Sequence, residues 1–309
     1  APTGRAAKRL AETTQRKAKT IHRLLIPDGR QGRIQVFEYN ETKLLPADLV
    51  IVDEVSMLDM EMMYHLLSAL KPQCRCILVG DADQLPSVGA GAVLHDIIAS
   101  GQVPVVRLDT IFRQQEGGRI VTNAHLINSG RLPVVNEDPE FRFVEIEDEA
   151  QGAEKISALY NSELLETGDK FAVQVLSPMY KNPCGVDNLN QLIQGRFNPP
   201  AEGKGELKGK NVIFRVGDKV MQTRNNYDII WKKDDEQGTG VFNGDIGKIV
   251  NINMMTRDVV IDFDGRITAY PFDTLDQIEL AYAVTVHKSQ GCEFETVIMP
   301  LLGSFDKLC

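Results

Sequence analysis

The sequence has 309 residues, of which 43% are hydrophobic and 25% are charged. This composition is ordinary for a globular protein, and the length allows two domains or one domain with insertions. The net charge of −9 argues against a protein that coats nucleic acid electrostatically. It still leaves room for a narrow groove lined by a few cations.

The sequence has neither an apolar run near the roughly 18 residues of a membrane span nor a signal peptide. We therefore expect a cytoplasmic protein that makes no membrane contact. Its five cysteines lack the spacing of a disulfide framework, which indicates a reducing compartment. Cys74 and Cys76 have no second cysteine pair with which to bind zinc, so both are expected to be buried thiols.

The first distinctive segment is residues 27–46, with the sequence PDGRQGRIQVFEYNETKLLP. Its start is rich in turn residues, and Ile34 and Val36 then alternate with Phe37 and Tyr39 on the opposite face. Alternation of this kind predicts a β-hairpin, which would protrude from the first domain.

Two continuous apolar runs follow, at residues 48–54 and 73–81. Such runs are typical of strands that are buried on both faces of a parallel sheet. Strand, helix and strand together predict a doubly wound α/β unit. Between the two runs, apolar residues recur at helical spacing and predict a helix packed on the sheet rather than a cofactor site. These residues are Met60, Met63, Leu66, Leu67 and Leu70.

Polar residues stand at the ends of both strands. Asp53 and Glu54 end the first, and Asp81 and Gln84 follow the second. Ligands of open α/β sheets bind beyond this edge, where two adjacent carboxylates are costly without a cation. Mg²⁺ carrying nucleotide phosphates fits, because it keeps most of its waters and needs only one or two carboxylates.

Asp53, Glu54 and Gln84 then each have a predicted role in hydrolysis of the bound nucleotide. Asp53 would hold the hydrated metal, and Glu54 would polarise the attacking water. Gln84 would hydrogen-bond both the γ-phosphate and that water. The alternative for Asp53 and Glu54 is a capped helix start with solvated acids, but capping alone accounts poorly for complementary polar residues on two neighbouring strands.

The second half of the chain begins as α/β and then changes. FAVQVLSP, from Phe171, is an apolar strand closed by turn residues, and residues 199–211 have the Gly, Pro and Lys content of a surface loop. From Phe214 to about Phe272, short alternating runs broken by Gly, Asn and Asp predict a small antiparallel barrel. LAYAVTVHKSQG then returns to the α/β pattern, so the barrel interrupts the second domain.

These motifs resemble those of superfamily 1 helicases, specifically the RecD/TraA branch, the exodeoxyribonuclease V alpha-subunit type. VDEVSM and VGDADQLPSVGAG resemble motifs II and III. The resemblance extends over nearly the whole chain. APTGRAAKRL (1–10) resembles motif Ia, TIHRLL (20–25) the DNA-contact motif after it, IFRQQ (111–115) motif IV, VLSPMYKNPCGVDNLNQ (175–191) the DNA motif of the second domain, and TVHKSQGCEF (285–294) motif V.

The resemblance implies an α/β fold with two RecA-like, P-loop-type parallel-sheet domains. The first would span residues 1–135, with the hairpin at about 27–46 as an insertion. The second would span 136–229 and 277–309, interrupted at 230–276 by a small SH3-like β-barrel. In this branch the hairpin is the wedge that splits duplex DNA, and the barrel helps to hold the DNA strand.

The resemblance also implies nucleotide contacts. Arg113 would reach the γ-phosphate as an arginine finger, supported by Gln114, and an ordinary surface arginine is the alternative. Gly291 and Glu293 lie in motif V, where the family's acid touches the nucleotide ribose. A charge on a helix surface is an equal alternative for Glu293. ATP binding through Gln84 and Arg113 would close the domains, and hydrolysis would reopen them.

The predicted DNA contacts lie mainly at strand ends. APTGR and LSPMYK each place a hydroxyl beside a proline ahead of an expected helix start, where free backbone N–H groups bind a phosphate. One such grip in each domain would let the protein walk along single-stranded DNA. Outside this family context, His22 would be a structural histidine. The predicted DNA contacts are Pro2, Thr3, Arg5, Thr20, His22, Ser177, Pro178, Thr285, His287 and Lys288.

The resemblance implies an ATP-dependent DNA helicase that moves 5′-to-3′ on single-stranded DNA. It would unwind duplex junctions in recombination or repair, with other recombination subunits as candidate partners. The chain contains no phosphate loop of the form G-x-x-x-x-G-K-[ST] and does not reach the motif VI arginine. We therefore expect a fragment of a longer protein that hydrolyses ATP poorly or not at all by itself. No nuclease activity is predicted.

Two rival functions belong to other classes. A non-enzymatic DNA-binding scaffold subunit would keep the helicase shape, although it has no use for Asp53, Glu54, Gln84 and Arg113. An ATP-driven translocase or RNA helicase from a related branch would keep all four residues. Mutation of Glu54 tests the first rival, and unwinding assays with tailed DNA and RNA duplexes test the second.

Overall fold

The computed structural model describes residues 1–27, 36–108, 118–135, 138–209 and 212–303. The chain divides into two compact units: unit 1, with Ala1–Pro2 and Thr20–Ile146, and unit 2, with Thr3–Lys19 and Glu147–Cys309. No helix within the described ranges is long and apolar enough to cross a membrane.

The helices and strands are numbered in chain order. The α-helices are α1 (Gly4–Thr14), α2 (Ile21–Leu25), α3 (Met60–Ser68), α4 (Val93–Ser100), α5 (Arg119–Asn128), α6 (Glu149–Thr167) and α7 (Val186–Phe197). The strands are β1 (Leu49–Val52), β2 (Arg75–Leu78), β3 (Val173–Ser177), β4 (Glu206–Lys208), β5 (Ile213–Arg215), β6 (Lys219–Gln222), β7 (Asn226–Lys233), β8 (Glu236–Val241), β9 (Ile246–Asn253), β10 (Asp258–Phe263), β11 (Arg266–Pro271), β12 (Ile278–Leu280), β13 (Ala283–Thr285) and β14 (Thr296–Ile298).

Unit 1 is built on a parallel pair of strands. β1 pairs with β2, and α3 forms the crossover that parallel neighbours require. Val50 and Val52 point from one face of the pair into a core that they share with α2 and α3. The predicted order of strand, helix and strand in a parallel sheet is therefore confirmed.

The other face of this pair differs from the prediction. Leu49 and Ile51 are 49% and 50% exposed, so the described residues do not bury β1 on both faces. Cys76 on β2 is also exposed, whereas the sequence predicts a buried thiol. The physical reason is that, among the described residues, the core of unit 1 lies against the face that carries Val50 and Val52.

The apolar residues of α3 are buried only in part. Met63 and Leu66 are buried as predicted, but Met60 and Leu67 are 56% and 49% exposed. One packed face covers about a third of a helix, and the apolar residues of α3 spread over a wider arc than that. The exposed residues of this helix therefore do not belong to the core that the sequence predicts for them.

The predicted hairpin insertion is described only at its base. Residues 28–35 lie outside the described residues, and Pro27 forms an antiparallel bridge with Phe37. Phe37 is 3% exposed. Its ring meets His22 of α2 and His65 of α3 edge-on, with centroids 5.9 and 5.0 Å away. The base of this segment is thus antiparallel and anchored in the core of unit 1.

Unit 2 contains a parallel sheet of three strands. β3 lies between β13 and β14, and α6 and α7 pack against it through the largest core of the described residues. FAVQVLSP is therefore the predicted strand. The predicted return to α/β structure after the antiparallel insertion is confirmed by β13 and β14.

The insertion is an antiparallel sheet of seven strands in the order β12-β6-β9-β10-β11-β7-β8. The turn between β10 and β11 shows how the sequence builds it. Asp264 and Gly265 have φ angles of 57° and 80°, as a two-residue type I′ turn requires. The antiparallel texture predicted for this part of the chain is confirmed.

Two details of organisation differ from the sequence analysis. Residues 206–208 of the predicted 199–211 loop form β4, which pairs with β5, while residues 210–211 lie outside the described residues. Thr3–Lys19 groups with unit 2, whereas the sequence assigns this segment to the first domain. The other domain bounds remain predictions.

Candidate nucleotide and nucleic-acid sites

The ends of β1 and β2 lie side by side at one edge of unit 1. The Val79 N–H donates to the Val52 carbonyl over 2.8 Å, and the Val55 N–H donates to the Val79 carbonyl over 3.0 Å. These bonds carry the pairing past the strand ends. Asp53 and Glu54 are therefore held beside the segment that begins at Gly80.

Glu54 has a backbone conformation that is uncommon for its residue type. Its φ and ψ are 57° and 44°, in the left-handed region, and its N–H donates to Asp53 Oδ1 over 3.0 Å. A short 3₁₀ helix, Val55–Met57, follows, but the Glu54 side chain makes no cap hydrogen bond to it. The capped-helix alternative for the two acids is therefore not observed. Strained backbone of this kind concentrates at functional sites.

The surroundings of Asp53 and Glu54 suit a magnesium nucleotide. A Cβ on Gly80 would lie 3.0 Å from the Val55 nitrogen and 3.2 Å from the Ser56 nitrogen, so the backbone approaches closely here. The Ser56 hydroxyl is buried and has no hydrogen-bond partner among the described residues. Carboxylate and hydroxyl oxygens are suitable donors for Mg²⁺ or its waters. No group of three or more metal-binding side chains occurs in the described ranges, and Mg²⁺ with a nucleotide needs fewer.

The other predicted nucleotide contacts of unit 1 are less fully described. Gln84 lies in an exposed turn after β2, at the same edge of the sheet, and its N–H donates to the Asp81 carbonyl over 3.3 Å. The Asp81 carboxylate accepts the Asp83 N–H over 3.0 Å, which shapes this turn. Arg113 and Gln114 lie outside the described residues, so their roles remain predictions.

The second predicted site lies at the carboxyl edge of the unit 2 sheet. Ser177 of β3 stands opposite Thr285 of β13. Ser177 is fully buried, and its hydroxyl donates to the Cys184 carbonyl over 2.8 Å. Thr285 is 7% exposed, and its hydroxyl accepts the Lys288 N–H over 3.2 Å. Both hydroxyls therefore shape the backbone at this edge.

Other side chains lie above this edge, namely the exposed Tyr180 and His287 and the half-buried Lys288. Lys288 Nζ donates to Glu279 over 2.5 Å and lies 5.5 Å from the centroid of the Tyr180 ring, which is 44% exposed. Burial lowers the pKa of Lys288, but the Glu279 carboxylate outweighs it and raises the pKa above its usual value. His287 is exposed beside them, and Pro178 is half-buried. A cation beside an open aromatic ring suits a single strand, whose phosphates and bases need charge and stacking.

Comparison with known proteins identifies two domain families and several relatives of this chain. Residues 1–145 match the family model described as an AAA domain, and residues 189–263 match that of the ATP-dependent RecD-like DNA helicase SH3 domain. An ATP-dependent RecD2 DNA helicase of Deinococcus radiodurans is 38% identical over 310 residues, which cover 98% of this chain and 39% of the relative. The chain is similar to RecD-like helicases over nearly its whole length.

A second relative shows the same similarity. A RecBCD enzyme subunit RecD of Mycolicibacterium smegmatis is 32% identical to the RecD-like chain over 337 residues, covering 97% of this chain and 56% of the relative. The chain thus spans less than two thirds of the length of either relative. Unliganded Pif1 from a Bacteroides species is similar with a TM-score of 0.44 and 20% identity, covering 98% of this chain and 76% of that one.

The motif V loop of the RecD-like chain, residues 291–294, is tied to α1. Gly291 has a φ of 74°, which favours glycine. Glu293 forms an ion pair with Arg9 over 2.8 Å, and Arg5 donates to Cys292 Sγ over 3.0 Å. Glu293 lies in a loop rather than on a helix, and it is an exposed surface charge. Its nucleotide contact remains a prediction.

The predicted DNA contacts near the start of the chain act in the structure as helix caps and packing groups. Thr3 caps α1 by accepting the Ala6 N–H, and the buried Thr20 caps α2 by accepting the Arg23 N–H, each over 3.2 Å. Pro2 is half-buried ahead of the first cap. α1 begins directly after its threonine, as predicted, whereas α7 begins nine residues after Ser177, at Val186.

Sequence reasoning missed three side chains at these sites. Tyr180 was passed over within LSPMYK, although an aromatic residue next to a lysine is a usable signal for single-strand binding. Arg9 carries no sequence signal for its contact with Glu293, because 284 residues separate them. Lys219 is fully buried in unit 2, and nothing in the GDKV sequence around it predicts that burial.

Proposed function

We propose that this chain supplies ATP-hydrolysing and DNA-contacting motifs of an ATP-dependent DNA helicase that moves 5′-to-3′ on single-stranded DNA. The observation that carries the proposal is the adjacency of the β1 and β2 ends, which sets Asp53 and Glu54 beside the segment leading to Gln84. The names of the relatives, an ATP-dependent DNA helicase and a RecBCD subunit, support it. We infer a role in recombination or repair, with duplex junctions as substrates and other recombination subunits as candidate partners.

The unit 1 site divides the work of hydrolysis among three side chains. Asp53 would hold hydrated Mg²⁺, which would supply positive charge to the phosphates. Glu54 accepts a hydrogen bond from the attacking water and polarises it, a role whose loss costs roughly 10²–10⁴-fold in rate. The Gln84 amide donates to a γ-phosphate oxygen and accepts from the same water. Arg113 keeps its predicted role as an arginine finger.

The unit 2 edge holds the single strand. Tyr180 stacks with a base, and Lys288 and His287 contact phosphates. Ser177, Pro178 and Thr285 act by shaping the backbone beneath them, since both hydroxyls already have partners in the chain. The predicted contacts of Pro2, Thr3, Arg5, Thr20 and His22 belong to the same proposal, as do the nucleotide contacts of Gly291 and Glu293.

Two parts of the fold have proposed mechanical roles. The insertion that begins at Pro27 is the wedge that splits the duplex, and its base is anchored through Phe37. The seven-stranded antiparallel insertion helps to hold the DNA strand. An unwinding assay tests direction and substrate together, using DNA and RNA duplexes with single-stranded 5′ or 3′ tails. The proposal expects unwinding of 5′-tailed DNA, and selective unwinding of RNA or of 3′-tailed duplex would contradict it.

The isolated 309-residue chain should bind single-stranded DNA but turn over ATP poorly or not at all. Its sequence has no G-x-x-x-x-G-K-[ST] loop, whose lysine and hydroxyl contact the phosphates and Mg²⁺ in this class of enzymes. An ATPase assay with and without oligothymidine measures this directly. Turnover close to that of a full-length RecD-like helicase would overturn this part of the proposal.

A further inference from the structure

Lys219, the first residue of β6, is fully buried in unit 2. Its side chain is 0% exposed, and no ion pair to it occurs among the described residues. Its Nζ donates to the carbonyls of Lys170 and Val173 over 2.9 and 2.8 Å. The same ammonium lies 5.7 Å from the ring centroid of Phe171 and 5.8 Å from that of Phe294.

These contacts join the antiparallel insertion to the motif V segment. Lys219 begins the insertion's strand β6, while Phe294 closes the motif V loop. Within that loop the Cys292 N–H donates to the Ser289 carbonyl over 2.9 Å, so the loop is continuous with the turn that carries Lys288. On its far side the Thr296 N–H donates to the Ala172 carbonyl over 3.0 Å. The loop is therefore held at its end by Lys219 and by β14.

A buried ammonium that lacks a carboxylate is costly, and an apolar side chain of similar length would avoid that cost. The two carbonyls and two rings offset it only in part, since cation–π contacts contribute about 0.5–2 kcal/mol. A lysine kept at such a position has a use beyond filling space. The geometry here points to its contacts with the loop.

We propose that Lys219 is a positioning residue that fixes the motif V segment, residues 287–294, in the conformation that contacts single-stranded DNA. The proposal rests on the proposed DNA contact of His287 and Lys288. Lys219 itself touches neither DNA nor nucleotide. It acts by holding Phe294, and through the loop it holds the turn above the unit 2 edge.

The charge on Lys219 is sensitive to pH in the neutral range. Burial, with a smaller contribution from Lys170, lowers its pKa to about 7 against the opposing effects of Asp169 and Cys292. Burial also lowers the pKa of Lys170 to about 8. The remaining charged groups around this pocket are Asp218 on β6, Lys248 on β9, opposite Lys219, and Arg5 on α1, which donates to Cys292. Loss of the proton removes both cation–π contacts, so the loop should loosen as pH rises through neutrality.

Fluorescence anisotropy of a labelled 20-nucleotide oligothymidine, measured with the 309-residue chain from pH 6 to pH 9, tests this. Lys219→Met keeps the length and volume of the side chain without the charge. At pH 6 we expect the affinity of this variant for oligothymidine to be about tenfold below that of wild type. A change of this size lies within the range of coupling energies between residues that contact each other, as Lys219 and Phe294 do. The difference should shrink as pH rises past 7. His287 is present in both proteins, so its own titration cancels in the comparison.

Two further variants keep the test decisive if Lys219→Met folds poorly, as judged by thermal melting. Phe294→Leu removes the ring from the same contact and should reproduce the loss of affinity, with no added loss in the double variant. Lys155→Met, at an exposed lysine of α6, is the matched control and should leave affinity and pH profile unchanged.

The possible results distinguish failure of the positioning role of Lys219 from failure of the proposed DNA contact of unit 2. If wild type binds oligothymidine and both Lys219→Met and Phe294→Leu match it at every pH, the positioning role is wrong and the DNA site stands. If both variants lose affinity equally at all pH values, Lys219 is merely structural. If wild type does not bind at any pH, the proposed DNA contact of unit 2 fails, and the role of Lys219 fails with it.

Discussion

At the scale of single residues, Glu54 combines an unfavourable backbone conformation with a proposed role in ATP hydrolysis. A glutamate at a φ of 57° is held in a region that glycine occupies at little cost. Glu54→Gly should therefore raise the free energy of unfolding by about 0.5–1 kcal/mol, measured by urea denaturation, while it abolishes ATP hydrolysis in the full-length protein.

Gln15 provides the matched control for this trade-off. It has a φ of 53° at the C-terminal cap of α1 and has no role in the proposed site. Gln15→Gly should stabilise the protein by a similar amount and leave ATP hydrolysis intact. Equal activity of the two glycine variants would show that the Glu54 carboxylate is not part of the chemistry.

Tyr180, whose ring is 44% exposed, is the residue that we propose to stack with a DNA base. Tyr180→Ala should weaken binding of single-stranded DNA by roughly 1–3 kcal/mol, the usual contribution of one stacked base. Tyr64→Ala, which removes a 61% exposed tyrosine from α3, is the control and should have no effect. Equal affinity of both variants in an anisotropy titration would remove Tyr180 from the interface.

At the scale of elements, the close approach of the β1 and β2 ends leaves little room for a side chain at position 80, which is Gly80. Its Cβ would meet backbone nitrogens of Val55 and Ser56 at 3.0 and 3.2 Å. Gly80→Ala should cost about 1–3 kcal/mol of unfolding free energy. The same substitution at Gly195, inside α7 with open space around it, should stabilise by about 0.5–1 kcal/mol. Thermal or urea unfolding of the two variants measures both, and equal signs would contradict this account.

The buried end of β6 gives the stability of unit 2 a pH dependence. The pKa of Lys219 is about 7 in the folded chain, against 10.5 for an ordinary lysine. Between these values the unfolded chain binds one proton more, so stability rises with pH, by at most about 1.4 kcal/mol per pH unit. The unfolding free energy of wild type minus that of Lys219→Met should rise from pH 7 to pH 10. A flat difference would show that the lysine is not buried in its charged form.

Sequence patterns predicted the elements better than their environments. The apolar runs that became β1, β2 and β3 fixed the parallel sheets, because burial of backbone and apolar side chains together favours strands. The exposure of Leu49 and Ile51 could not be predicted from the same sequence pattern, because it depends on which residues cover their face of the β1–β2 pair. The left-handed conformation of Glu54 and the burial of Lys219 arise from tertiary contacts that carry no local signal.

At the scale of the whole molecule, the two predicted sites could be anticipated to different degrees. The edge that carries Asp53 and Glu54 follows from strand adjacency, which the sequence predicts. At the unit 2 edge the side chains of Tyr180 and His287 are exposed and that of Lys288 is half-buried, whereas the predicted Ser177 is fully buried. A hydroxyl next to a proline can hydrogen-bond either the backbone of a turn or a ligand, and tertiary packing determines which of the two it does.

The central claim is that the carboxylates beside β1 catalyse ATP hydrolysis. Glu54→Gln in the full-length protein tests it most directly, because the amide keeps the shape and removes the charge. We expect single-stranded-DNA-stimulated ATP turnover and unwinding of 5′-tailed duplex to fall by roughly 10²–10⁴-fold while binding of nucleotide and DNA is retained. Turnover and unwinding at the wild-type level would contradict the account and leave the scaffold function as the better explanation.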